Sequence, residues 1–111
     1  MKITRIYSFA AAHKLPNVPP NHKCSRLHGH TYKLEISVAG EVGEDTGWVM
    51  DFADIDKHVN PLIEASLDHH YLNDQVENPT VENLVLFLKK QLPESFSIKA
   101  WEGDRSYAEI D

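Results

Sequence analysis

From Leu27 to Ala39 the side chains alternate in character. His28, His30, Tyr32, Leu34, Ile36 and Val38 fall in one phase; Gly29, Thr31, Lys33, Glu35 and Ser37 fall in the other. A period of two over this length predicts a long antiparallel strand, buried on one face, with two histidines leading that face. Ile3, Tyr7, Phe9 and Ala11 share a phase as well, which predicts an earlier strand over about 3–12, and His13 continues it. The stretch 15–26 between them carries Pro16, Pro19, Pro20, Asn17 and Asn21 and reads as an irregular loop.

Past Gly40 the pattern changes. Residues 41–46 are turn-like, and Trp48-Val49-Met50 reads as a short extended piece. Ile55, Val59, Leu62, Ile63 and Leu67 recur at helical spacing and predict a helix over 54–67. Pro61 lies inside it, removing a backbone donor, so a kink or restart is expected near His58–Asn60. A second helix is marked by Thr80 as N-cap after Pro79 and by the stripe Val81, Leu84, Val85, Leu88 and Leu92. Asn83 holds its capping-box position without the acid, and Pro93 ends it. Phe96, Ile98 and Ala100 alternate again with Glu102 in their phase, then a Gly103-Asp104 turn leads to a last strand through Tyr107 to Ile110. Strands bracketing a helical middle predict an α+β fold, a four-stranded antiparallel sheet with two helices on one face.

Length and composition narrow the function classes. One hundred and eleven residues suit one domain, 1–111, and 41% hydrophobic with 25% charged residues is the balance of a soluble globule. The longest apolar run, Leu84 to Leu88, is far short of the roughly 20 residues a membrane span needs. The N-terminus has no secretory apolar stretch, and a lone Cys24 cannot make an internal disulfide, so a cytoplasmic home is expected. The net charge of −6 argues against a nucleic-acid binder. Yet residues 1–34 hold six Lys or Arg and no acid, while residues 35–111 hold five bases against seventeen acids. A basic segment within an acidic protein suits a compact polyanion such as a phosphorylated metabolite; a solvated strand face reads the same way.

His28-Gly29-His30 sets two imidazoles on one side of a strand, roughly 6.6–7 Å apart along it. With His13 from a neighbouring strand they form a three-nitrogen set, which with an open fourth position is a catalytic zinc arrangement. The other reading is a group of partly buried, hydrogen-bonded histidines. Cys24 precedes His28 by four residues and is a fourth ligand, a thiolate base or nucleophile, or a small buried hydrophobe. Asp68-His69-His70 offers a carboxylate beside an imidazole, material for proton transfer or for a plain helix-end turn. Glu102, in the buried phase, either meets a ligand edge bearing two parallel N–H groups or pairs with Lys99 or Arg105 at a strand end.

Phe9-Ala10-Ala11-Ala12-His13, Cys24-Ser25-Arg26-Leu27-His28-Gly29-His30, Leu67-Asp68-His69, Asn78-Pro79-Thr80 and Trp101-Glu102 occur in an order that resembles the 6-pyruvoyltetrahydropterin synthase family over about residues 3–109. The short Cys24-to-His28 spacing and Thr46-Gly47-Trp48-Val49-Met50-Asp51-Phe52 are most similar to its bacterial 6-carboxy-5,6,7,8-tetrahydropterin synthase branch, which serves queuosine biosynthesis. The resemblance implies Zn2+ on His13, His28 and His30, Cys24 as proton-abstracting thiol, Asp68 and His69 as acid/base partners and Glu102 as pterin anchor. It implies a lyase acting on 7,8-dihydroneopterin triphosphate, releasing acetaldehyde and triphosphate. The alternatives are the pyruvoyl-forming synthase and a non-enzymatic zinc-binding assembly module. Lys14, Lys23 and Arg26 are candidates for the triphosphate from the basic segment, whereas His22, His58 and His70 match no family role. The implied assembly is a homo-oligomer of barrels with sites at subunit interfaces, a hexamer of two trimers, with neither nucleic acid nor membrane as partner.

Overall fold

The computed structural model describes all residues 1–111. In sequence order it contains β1 (Lys2–His13), β2 (His28–Ala39), α1 (Phe52–Leu62), α2 (Val81–Gln91), β3 (Ser97–Glu102) and β4 (Ser106–Ile110). The four strands form one antiparallel sheet in the order β1-β2-β3-β4. Both helices lie in the long β2–β3 connection, as the strand–helix–strand order requires. No helix is long and apolar enough to cross a membrane.

Alternation sets which face is covered. Phe9 and Ala11 of β1, Tyr32, Leu34, Ile36 and Val38 of β2, and Ile98 and Ala100 of β3 are buried, and they share one core with Ile55 and Val59 of α1 and Leu84, Val85 and Leu88 of α2. Each large side chain of this set contributes roughly 1.5–3 kcal/mol by leaving water. The register places Ala11 opposite His30 and His13 opposite His28, so the covered face of the hairpin ends in three histidines. Tyr32 pairs with Glu102 across β2 and β3, which brings the acid to the same end.

The helices depart from expectation in their ends. The first starts at Phe52, two residues early, because Asp51 caps it by accepting the Ala53 N–H at 2.9 Å. Pro61 does not break it near His58–Asn60. The helix runs through Leu62, with Pro61 on its exposed side, and the irregularity follows as a π turn over Ile63–Leu67. Asp68 N–H closes that turn on the Ile63 carbonyl at 2.8 Å. The second helix is capped by Thr80, whose Oγ1 accepts the Asn83 N–H at 3.1 Å. Trp48-Val49-Met50 is bent and joins no sheet, since Gly47 at φ +75° turns the segment back on itself.

Candidate active site

The site grows from the covered end of the β1–β2 hairpin. His13 closes β1 and is buried to 1% exposure; His28 and His30 open β2 and are half-buried. One ring nitrogen from each lies within 4.8 Å of the others. The His13 Nδ1–H donates to the Pro79 carbonyl at 2.8 Å, and the His28 Nδ1–H donates to the Arg26 carbonyl at 2.7 Å. A carbonyl only accepts, so both Nδ1 atoms carry hydrogen and both Nε2 atoms present lone pairs. Those two Nε2 atoms face each other at 3.0 Å. The His30 Nε2 is buried with no hydrogen-bond partner.

Facing lone pairs and an orphaned buried nitrogen are costly unless a cation sits among them. Nitrogens of a tetrahedral zinc site are roughly 3.3 Å apart, and the His13–His28 spacing of 3.0 Å is close to that. The three residues fit a divalent metal. Burial pushes His13 below the ordinary imidazole value, against the pull of the Pro79 carbonyl and Glu102, which favours the neutral form a metal needs. Tyr32, wholly buried, adds its Oη at 3.4 Å from His13 Nδ1 and stacks on Phe9 at 5.1 Å.

A cavity of about 360 Å³ opens beside the histidines, lined by Lys23, Cys24, His28, His30 and Glu102. Glu102 Oε1 lies 3.5 Å from His30 Nε2 and takes neither Lys99 nor Arg105 as partner; Lys99 reaches Glu35 at 4.0 Å. Cys24 is half-buried on a one-turn 3-10 helix, Lys23–Ser25, and is not among the clustered metal-ligand atoms. Of the three basic residues expected near a phosphate, only Lys23 lines this cavity.

Asp68 and His69 lie elsewhere. They follow the π turn and dock on the outer edge of β1, where Asp68 Oδ1 accepts the Ala10 N–H at 3.0 Å and His69 N–H reaches the Ala10 carbonyl at 2.6 Å. His69 holds a left-handed φ of 58°, and its Nδ1 is 3.0 Å from Asp68 Oδ1. The Ala10 N–H and then His69 hold the Asp68 carboxyl below the usual carboxylate range. His69 lines a second, wider cavity of about 570 Å³ that His30 also borders and Cys24 does not. Within one protomer, the Asp–His pair and the thiol therefore face different spaces.

The sequence did not single out the groups that orient the ligands. Tyr32 was visible in phase with His28 and His30, but the Pro79 and Arg26 carbonyls are backbone atoms with no side-chain signal. Asn78-Pro79-Thr80 has a physical role here: Pro79 orients His13 and Thr80 caps the following helix.

The family model described as 6-pyruvoyl tetrahydropterin synthase matches residues 2–111. A 6-carboxy-5,6,7,8-tetrahydropterin synthase of Synechocystis is 40% identical over 99 residues, covering 84% of this chain and 75% of that protein. A dihydroneopterin monophosphate aldolase of Pyrococcus furiosus is 38% identical over 120 aligned positions, covering all of this chain and 99% of that protein. Among solved structures, 6-pyruvoyl tetrahydropterin synthase of Caenorhabditis elegans superposes with a TM-score of 0.84 at 25% identity, covering 99% of this chain and 94% of the other.

Proposed function

Since this chain belongs to the 6-pyruvoyl tetrahydropterin synthase family, we propose that it is a zinc-dependent lyase. In this reading it converts 7,8-dihydroneopterin triphosphate and water to 6-carboxy-5,6,7,8-tetrahydropterin, releasing acetaldehyde and triphosphate. The observation that carries the reading is a single cavity lined by two histidines of the three-histidine cluster, a free thiol and a carboxylate. His13, His28 and His30 would hold the ion, which when bound would supply Lewis-acid polarisation of the substrate's side-arm oxygens.

The remaining steps belong to the protein's own residues. Glu102 grips the amino-pyrimidine edge of the pterin through two parallel N–H donors. Cys24 as thiolate takes the C–H proton from the substrate's side arm, and Lys23 meets the phosphate end. Elimination expels triphosphate; one water then adds at the side-arm carbon next to the ring, and cleavage of the following C–C bond leaves the carboxylate on the pterin and releases the two-carbon aldehyde. His69, oriented by Asp68, moves the second proton. Because His69 and Cys24 face different cavities in one protomer, the pair acts on the thiol of a neighbouring copy. Barrels assembled from the open strand edges, a hexamer of two trimers, supply that neighbour. In this reading the product feeds queuosine biosynthesis, which the likeness to the carboxy-forming branch supports, and a reducing cytoplasm suits chemistry that needs a free thiol.

The match over the whole length of both proteins favours a second reading, aldol cleavage of dihydroneopterin monophosphate. Purified protein incubated with each substrate separates them, with metal content measured alongside. Acetaldehyde and triphosphate from the triphosphate substrate support the lyase. Triphosphate without acetaldehyde identifies the pyruvoyl-forming reaction, and a two-carbon aldehyde still bearing phosphate, formed from the monophosphate, identifies the aldolase. A bound metal with no turnover of either substrate leaves the non-enzymatic zinc-binding module.

A further inference from the structure

His22, a residue without a family role, touches Cys24. Its ring Nδ1 accepts the Cys24 backbone N–H at 3.0 Å and so caps the one-turn helix that carries the thiol. The rest of His22 is committed to the same turn. Its N–H donates to the Pro19 carbonyl at 2.8 Å, and its own carbonyl accepts the Ser25 N–H at 3.0 Å and the Ser25 hydroxyl at 2.7 Å. At its other end the Cys24 peptide is pinned by the Leu15 N–H, which donates to the Cys24 carbonyl at 2.7 Å.

We infer that His22 is a positioning residue for Cys24: by capping Lys23–Ser25 it holds the thiol toward the cavity shared with His28, His30 and Glu102. A single 3-10 turn has almost no cooperativity of its own, so the side-chain acceptor at its start carries weight beside the few backbone and Ser25 hydrogen bonds that hold it. The segment 15–26 is proline-broken and cannot hold Cys24 by strand or helix pairing. The cap also fixes the imidazole: Nδ1 accepts, so the ring hydrogen sits on Nε2. This inference rests on the proposed role of Cys24 in turnover, and its test includes a readout that does not.

Asparagine and glutamine distinguish the two ring nitrogens. The amide oxygen of Asn falls where Nδ1 lies, and that of Gln falls near Nε2, so only Asn can replace the cap. In His22→Ala and His22→Gln, kcat on dihydroneopterin triphosphate should fall by about three- to tenfold, the range a lost N-cap corresponds to, with KM little changed. His22→Asn should restore the wild-type rate. Because Cys24 is the only cysteine, its alkylation by iodoacetamide reads the turn directly. Alkylation should quicken in the Ala and Gln variants, as the half-buried thiol swings into solvent, and return to the wild-type rate in Asn. Wild-type alkylation in all three variants, or rescue by Gln as well as Asn, overturns the inference. Should Cys24→Ala itself keep turnover, the role of the thiol fails, while the alkylation series still decides the role of His22.

Discussion

At the scale of single residues, the metal set and the reacting groups make separable demands. Cys24 is not clustered with the ligand nitrogens, so Cys24→Ala should keep the metal and lose about 10²–10⁴ in turnover, the usual worth of a positioned acid or base. Metal analysis of the purified variant beside a turnover assay checks this; loss of metal together with the thiol would assign Cys24 to the ion instead. Glu102→Gln keeps the shape and removes the charge that two parallel N–H donors would meet. Pterin binding should weaken roughly 10- to 100-fold, the share of charge-assisted hydrogen bonds, with metal content unchanged. Titration of a pterin by fluorescence reads it. The histidine cluster was legible because strand alternation assigns faces: His28 and His30 share a phase, and antiparallel pairing brings His13 opposite His28. The orienting carbonyls of Pro79 and Arg26 and the cap from His22 were not, because they depend on how the loops close, and sequence period carries no information about that.

At the scale of elements, two contacts decide how the helices sit on the sheet. Thr80 caps the second helix at the point where the preceding Pro79 carbonyl orients His13. Thr80→Ala should cost about 1 kcal/mol. A domain of this size then melts about 4–8 °C lower, which calorimetry detects. The first helix is tied to β1 by Asp56, which accepts the Tyr7 hydroxyl at 2.6 Å and two Arg5 N–H groups at 3.2 and 3.1 Å. The Tyr7 hydrogen bond, opposed by burial and reinforced by Arg5, holds the Asp56 carboxyl below its ordinary value of 3.8. A carboxylate held low in the folded state stabilises the fold above its unfolded value and loses that contribution as pH falls through the folded one. Asp56→Asn should therefore be less stable than wild type at pH 7, and the gap should close below about pH 4 in denaturant melts. Strand and helix identities followed from side-chain period, including the cap at Thr80. The start at Phe52 escaped because Asp51 is a capping residue outside the apolar stripe. The expected break at Pro61 lies past it: the helix runs on through Leu62, and the irregularity falls in the π turn over Ile63–Leu67.

At the scale of the whole molecule, the protein is elongated, 58 × 23 × 22 Å, and both outer strands of the sheet offer unpaired backbone. Along β1 the segment 68–71 covers only the Ala10–Ala12 end, through Asp68, His69, His70 and a bridge from Tyr71 to Ala12. The other end of β1 and all of β4 remain open, and edges of that kind are a template for pairing with another copy. The division of the chemistry points the same way, for Cys24 and Glu102 line one cavity and His69 lines another. If each working site takes its thiol from one copy and its Asp–His pair from the next, Cys24→Ala and His69→Ala are each inactive alone but defective in opposite halves of the site. Unfolded together and refolded as an equal mixture, they should regain about a quarter of wild-type turnover, since a quarter of the interfaces then join an intact thiol to an intact imidazole. Sites built within one protomer would leave every mixed oligomer as inactive as its parents, and a species of monomer mass in analytical ultracentrifugation would remove the interface altogether.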